Sequence, residues 1–498
     1  MSRLQSALRR HAVQSPLHPA VEDEGGALGY AELLVQVQQL AQRLLDLRVK
    51  AVGLLADNGR SWVLLDLAAH IAGIPLVPLP GFFTPAQVAH SVRAAGIDCI
   101  VTDNPAAARN ALRNELAARS FHDKLVEIRV PTEHAHGSLL PVGTQKITFT
   151  SGTTGEPKGV CLGVAELETT AESLRQVSAA SAQDRHVCLL PLATLLENIA
   201  GIYTPLLAGA TLCVPRLATL GWSGSSNLDI ARLLGALEHW KASSAILVPQ
   251  MLQAIVAGGR AGLKPPASLR YVAVGGAPVS ARLLHDAQSL GLPVFEGYGL
   301  SECASVIAVN RPDATRSGSV GLPLPHVRVT VADDGEIVVS GVRWRGYLAT
   351  ADAAGTTPGT AGAIATGDLG FIDADGYLHI TGRKKNIFIT SFGRNVAPEW
   401  IERELVARAP ILQAAVFGES RPFNTAIIVA HAAATQQAVT QALEEVNRQL
   451  PDYARVSAWI PAREPFTPHN GLSTPNGRLR RSEIFGAYAD RINASYPS

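Results

Sequence analysis

Between residues 30 and 47 the apolar positions Leu33, Leu34, Val37, Leu40, Ala41, Leu44 and Leu45 recur at the spacing of one helical face. Short apolar runs at 51–55, 74–79 and 99–102 read as strands, with a helix over 61–71 between the first two. Thr84-Pro85 predicts a helix start, the proline falling in the first turn. Strands alternating with helices argue for a parallel sheet covered on both faces. The alternation resumes past residue 160. It predicts helices near 164–180, 193–208, 228–240, 249–257 and 280–290, and strands near 211–214, 244–248, 271–275 and 294–297. From about Arg328 the pattern turns to β-hairpins with Asp-Gly turns. Residues 351–363 read as a flexible Gly/Ala/Thr loop. Beyond Lys385 a smaller α+β unit is expected, with strands at 386–390, 412–417 and 425–430 and helices at 398–408 and 436–449.

Composition narrows the field. A chain of 498 residues with 47% hydrophobic and 17% charged residues can bury a large core, and its length suits a large domain with a smaller one. A net charge of +1 gives no reason to expect nucleic acid or an anionic membrane as partner. The five cysteines are scattered without a Cys-x-x-Cys pair, as expected for free buried thiols in a reducing compartment. The first residues carry arginines with no apolar run behind them, and no apolar stretch reaches the roughly 18 residues of a membrane span. A cytoplasmic protein is expected.

The candidate chemistry starts at residues 146–160, Lys-Ile-Thr-Phe-Thr-Ser-Gly-Thr-Thr-Gly-Glu-Pro-Lys-Gly-Val. A short strand ending at Thr150 runs into Ser151, Gly152, Thr153, Thr154 and Gly155. Glycines let backbone N–H groups converge on an anion, hydroxyls add donors, and Lys158 adds a mobile cation. Pro157, and Gly159 after the lysine, exclude the P-loop of common NTPases, which needs a helix under the phosphates. Taken alone the run could be a polar turn. Further along, Gly297-Tyr298-Gly299-Leu300-Ser301-Glu302 follows a strand, where α/β sheets open a ligand crevice. Tyr298 offers a flat face for a purine, Ser301 a hydroxyl for an α-phosphate, and Glu302 a hard oxygen for Mg²⁺. Asp368, in Thr366-Gly367-Asp368, could accept from both ribose hydroxyls, and Arg383 could reach ribose or phosphates.

These four motifs, in this order, resemble the signatures of the adenylate-forming superfamily, most closely its AMP-forming acyl-CoA synthetases. The resemblance covers nearly the whole chain. It implies an α/β fold: a large N-terminal domain of two α/β subdomains plus a β-barrel (1–384), and a small mobile C-terminal domain (385–498) with its hinge at Lys385. It implies ATP, Mg²⁺ and coenzyme A as cofactors, and a small-molecule carboxylic acid as substrate. Gly275, Gly276, Ala277 and Pro278 match the segment that contacts substrate and adenine. Ser391 to Asn395 would line the thiol channel.

Two departures stand out. The family places a lysine at Arg478, bridging carboxylate and α-phosphate; an arginine keeps the charge as a planar fork, so that it either serves with slower adenylation or marks a degenerate nucleotide-binding member. Long-chain fatty acid ligases carry histidine at Thr194 while keeping a glutamate at Glu197. No aspartate stands where amino-acid-activating relatives pair the substrate ammonium. Thr194, Leu195, Ile199, Val248, Met251, Val274 and Val306 are therefore the candidate tail pocket, or else plain core. With no fused carrier domain, the acceptor thiol is coenzyme A or, alternatively, the phosphopantetheine of a separate acyl carrier protein.

Overall fold

The computed structural model describes residues 1–113, 116–131, 140–150, 158–223, 227–348, 362–474 and 477–496. The loop residues Ser151, Gly152, Thr153, Thr154 and Gly155 lie outside them, as does most of the expected loop 351–363.

Two large sheets form the N-terminal part. One has eight strands, with Leu76–Pro78, Val52–Leu55 and Cys99–Thr102 parallel at its centre and Lys146–Thr150 beside them. The other has nine strands, and Arg185–Val187, Ser244–Leu247, Tyr271–Val274 and Val294–Tyr298 run parallel in neighbouring positions. Burial on both faces explains why these strands read as continuous apolar runs. Leu189, Ala245, Leu247, Val272 and Val274 pack into a core of their own with the helix Pro249–Arg260, and Trp62, Tyr203 and Leu206 belong to the largest core. Most expected elements are found within about three residues at either end, including the helix Pro85–Ala95, where Thr84 and Gln87 form a reciprocal capping box.

Several elements differ from expectation. The helix expected over 193–208 is a π-helix, Glu197–Tyr203, running into a short α-helix, Thr204–Ala208. The wider turn is fixed where Thr204 N–H donates to the carbonyl of Ile199, five residues back. From Arg328 the expected β-hairpins form, as a four-stranded antiparallel sheet of Arg328–Val331, Glu336–Ser340, Ile364–Ile372 and Leu378–Arg383. The strand expected at 386–390 shrinks to Phe388–Ile389, preceded by a 3₁₀ turn at Lys384–Asn386. The helix Arg3–Gln14 and the hairpin Pro19–Asp23 with Gly26–Gly29 extend the N-terminus.

The C-terminal unit packs three strands, Ile411–Phe417, Asn424–Ala430 and Val456–Pro461, against the helices Pro398–Val406, Gln436–Asn447 and Arg481–Ala494. All five cysteines are buried and free, and burial pushes the thiols of Cys99, Cys161, Cys213 and Cys303 up to about 12. No helix among the described residues is long and apolar enough to cross a membrane.

Candidate active site

The strand Lys146–Thr150 and its antiparallel partner Lys158–Leu162 end level with one another, Thr150 opposite Lys158. Both of these end residues line a cavity of about 1460 Å³. The start of the first strand is pinned. Lys146 is fully buried, and its Nζ donates to Asp66 Oδ1 at 2.6 Å, to Tyr203 Oη at 2.9 Å and to Asn198 Oδ1. Burial lowers its pKa, while the Asp66 carboxylate opposes that shift.

On the opposite side, Val294–Tyr298 delivers Gly297 and Tyr298 to the cavity, and the chain then turns sharply at Gly299. A Cβ there would sit 1.6 Å from the carbonyl oxygen of Ser305, so only glycine lets the two backbones approach. Ser301 opens a 3₁₀ turn, Ser301–Cys303, that turns Glu302 to the same cavity. Glu302 Oε1 accepts from Tyr347 Oη at 2.7 Å. The Tyr347 ring lies 5.8 Å from Lys158 Nζ and packs edge-on against Trp344. Burial first, and the Glu302 carboxylate second, raise the phenol pKa of Tyr347. A single hydrogen bond leaves most of the acceptor capacity of Glu302 for a hard cation. Magnesium fits this donor.

Asp368 is almost fully buried behind Tyr298. Its Oδ2 accepts from Tyr298 Oη at 2.6 Å and its Oδ1 pairs with Arg383 Nε at 2.8 Å. Burial, then the Asp368 charge, raise the Tyr298 pKa and keep the phenol protonated. Across the cleft, Arg478 Nε donates to the carbonyl of Gly276 at 3.2 Å. Lys385 lies nearby on the cavity wall, and its ammonium is held below its ordinary pKa by burial and then by Arg383 and Arg478.

Thr150, Lys158, Thr194, Leu195, Val248, Val274, Gly275, Gly276, Gly297, Tyr298, Gly299, Ser301, Glu302, Val306, Arg383, Lys385 and Arg478 all line this one cavity. Five of the expected residues, Ile199, Met251, Ala277, Pro278 and Asp368, do not line it. Ile199 is fully buried in the largest core, because the π-helix turns its neighbour Ala200 to the cavity instead. Met251 packs into the core beneath Val274. Ala277 and Pro278 line a second cavity, of about 910 Å³, with Asp368; the two cavities share Gly276, Gly297, Tyr298, Gly299, Arg383, Lys385 and Arg478. The sequence reading missed Tyr347 and His186. Tyr347 is flagged only by its place in an aromatic run, Trp344-Arg345-Gly346-Tyr347, and His186 only by a polar residue at a strand start.

Comparison with known proteins shows the family. The family model for the AMP-binding enzyme matches residues 8–358, and that for the AMP-binding enzyme C-terminal domain matches 385–498. The chain belongs to this family of adenylate-forming enzymes and is an AMP-forming acid–thiol ligase in class, with ATP, magnesium and coenzyme A as the family's cofactors. It is 26% identical to a long-chain-fatty-acid–CoA ligase of Mycobacterium bovis, FadD15, over 94% of this chain and 92% of that protein. It is 30% identical to a feruloyl-CoA synthase of Amycolatopsis, over 83% and 85%. Its fold matches the O-succinylbenzoate coenzyme A synthetase of Bacillus subtilis in complex with ATP and magnesium ion, with a TM-score of 0.73 at 21% identity, over 96% and 98%.

Proposed function

We propose that the protein activates a medium- or long-chain fatty acid with ATP to an acyl-adenylate and transfers the acyl group to coenzyme A in the cytoplasm. The observation that carries the reading is the single cavity that joins polar and apolar walls. Lys158, Glu302, Arg383 and Arg478 line it together with the apolar Leu195, Ile246, Val248, Ala273 and Val306. A fatty acid fits such a slot, its carboxylate toward the cations and its tail along the apolar wall.

In the first step a carboxylate oxygen attacks the α-phosphate and pyrophosphate leaves. An anion meets a polyanion, so catalysis is positioning and neutralisation. Magnesium, held by Glu302, would withdraw charge from the phosphate oxygens. Lys158 and the amides of the 151–157 loop take the leaving side. Arg478 bridges the attacking carboxylate and the α-phosphate in the place of the usual lysine, and Ser301 donates to the phosphate. Tyr298 and Gly276 flank the purine, and Asp368 with Arg383 holds the ribose. Tyr347 fixes the carboxylate of Glu302 by its 2.7 Å hydrogen bond.

In the second step a thiolate attacks the acyl carbon and AMP departs. A thiol with a pKa near 8.5 is a few per cent ionised at neutral pH, and no strong base is required. The C-terminal domain from Lys385 onward would rotate between the steps, replacing Arg478 with the Ser391–Asn395 segment. The second cavity, opening beside Gly276 and walled by Arg421 and Arg480, suits an acceptor carrying phosphates.

The test is pyrophosphate release across fatty acids of six to eighteen carbons and aryl acids, with coenzyme A and a phosphopantetheinylated carrier protein offered in parallel and products read by mass spectrometry. Release requiring acid, ATP and magnesium, with acyl-CoA as product, is expected. No release with any acid would sink the reading, and acylation of the carrier alone would replace the acceptor.

A further inference from the structure

The acyl cavity does not end at the residues that the sequence singles out. It continues along the face of the nine-stranded sheet, under the π-helix and the helix that follows. The floor is Ile246, Ala273 and Tyr271, the last stacked on Phe295 at 4.8 Å, and the roof is Leu196, Ala200 and Thr204 at four-residue spacing. At its far end the groove meets Arg270, whose Nε donates to Asp184 at 2.6 Å.

A cluster of polar side chains faces this channel. Ser244 is opposite His186 in the parallel register, and both side chains line the groove. Ser244 Oγ is 3.0 Å from His186 Nδ1, and His186 Nε2 is 3.3 Å from Glu197 Oε1. Glu197 is fully buried on the π-helix, and its other oxygen accepts from the Leu190 N–H at 3.2 Å. Gly201 makes room for the pair: a Cβ there would stand 2.3 Å from Glu197 Oε1 and 3.0 Å from His186 Nε2. A carboxylate only accepts, so a proton on Nε2 points to Glu197, and in that tautomer Nδ1 is the acceptor. The Ser244 hydroxyl then donates inward to Nδ1. Its oxygen lone pairs are left facing the groove, ready for a donor from a ligand.

We propose that Ser244, oriented by His186 and Glu197, is a specificity residue that recognises a hydroxyl group on the acyl tail. This rests on the acid-activating reading above and names its substrate class: a mid-chain hydroxy fatty acid. The position follows from the strand register. Ser244 lies level with Tyr271, four residues back from Gly275 at the carboxylate end, or about 13 Å at strand rise. An extended chain covers that span in roughly ten carbon–carbon bonds. A plain alkyl tail would cover the Ser244 oxygen without pairing it.

The experiment compares octadecanoic, 10-hydroxyoctadecanoic, 3-hydroxyoctadecanoic and 10-oxooctadecanoic acids by kcat/KM for pyrophosphate release and by calorimetric Kd of the free acids. About a tenfold preference for the 10-hydroxy acid over the other three is expected, the worth of one neutral hydrogen bond. In Ser244→Ala the ratio should fall toward one. His186→Gln should reduce it with a smaller loss, since a glutamine amide still pairs with Ser244 but no longer fixes its orientation. Equal kcat/KM and Kd for all four acids in the wild type would overturn the assignment, as would a preference unchanged in Ser244→Ala. Failure of turnover with every acid would sink the ligase reading alone; the Kd ratio reads the hydroxyl site independently.

Discussion

Arg478 Nε reaches the carbonyl oxygen of Gly276 at 3.2 Å, joining residues 202 positions apart across the mouth of the active-site cavity. The bond brings a cation of the C-terminal domain against the strand-end segment that would carry purine and carboxylate. Arg478→Ala should therefore slow pyrophosphate release by about 10²–10³-fold, the usual cost of removing a preorganised donor at a developing charge. Acyl transfer from preformed acyl-adenylate should change far less. Arg478→Lys should equal or exceed the wild-type rate, because a compact ammonium fits between two oxygens better than a planar fork. Rapid-quench measurement of the two half-reactions checks both. A wild-type rate in Arg478→Ala would remove this residue from the chemistry.

Asp368 holds Tyr298 and Arg383 at once, at 2.6 and 2.8 Å. Asp368→Asn keeps the shape but loses the charge that both partners face. Hydrogen bonds to charged groups contribute about 1.5–3 kcal/mol, so KM for ATP should rise roughly ten- to a hundredfold. KM for the acid should hardly move.

Glu302→Gln should raise the magnesium concentration needed for half-maximal rate by an order of magnitude or more, since an amide oxygen is a weaker ligand for a hard cation. Tyr347→Phe removes only the 2.7 Å hydrogen bond that orients Glu302 and should cost about 0.5–1.5 kcal/mol in the same titration. An unshifted magnesium curve for Glu302→Gln would argue against metal binding there.

Glu296 lies one residue before Gly297, and burial pushes its carboxyl up to about 7, partly offset by the Val279 N–H that it accepts. The native state therefore keeps a proton that the unfolded chain loses above its ordinary value near 4.5. Bound protons are then more numerous in the native state, and stability contributed by this group falls as pH rises from about 4.5 to about 7. The full penalty is on the order of 3 kcal/mol. Glu296→Gln should thus gain on the wild type as pH is raised from 5 to 8, measured by thermal melting at both values. A gap between the two proteins that stays constant with pH would refute the shift.

Lys146 and Asp66 form a buried pair at the start of the strand Lys146–Thr150, at 2.6 Å. Lys146→Met leaves the Asp66 carboxylate buried without its partner and should cost about 3–5 kcal/mol in urea unfolding. Adding Asp66→Leu should recover much of that loss, because the destabilisation comes from the unpaired charge.

The sequence alone determined the class of fold and named many of the residues that the structure gathers around one cavity. Apolar periodicity marked the alternating strands and helices because burial on both sheet faces leaves little freedom in residue type, and the glycine-containing runs at Gly297 and Gly299 are legible because close backbone approach admits no side chain. Tertiary structure decided what periodicity does not encode. The π-helix turned Ile199 into the core and Ala200 to the cavity, a rotation set by one extra residue per turn rather than by residue type. It also joined Lys146 to Asp66 and Asn198, Tyr347 to Glu302, and His186 to Ser244 and Glu197. Of these contacts, Ser244 with His186 follows from a parallel strand register, while the others join a strand to a helix or turn that the fold brings alongside, and no local pattern records which residue will arrive opposite.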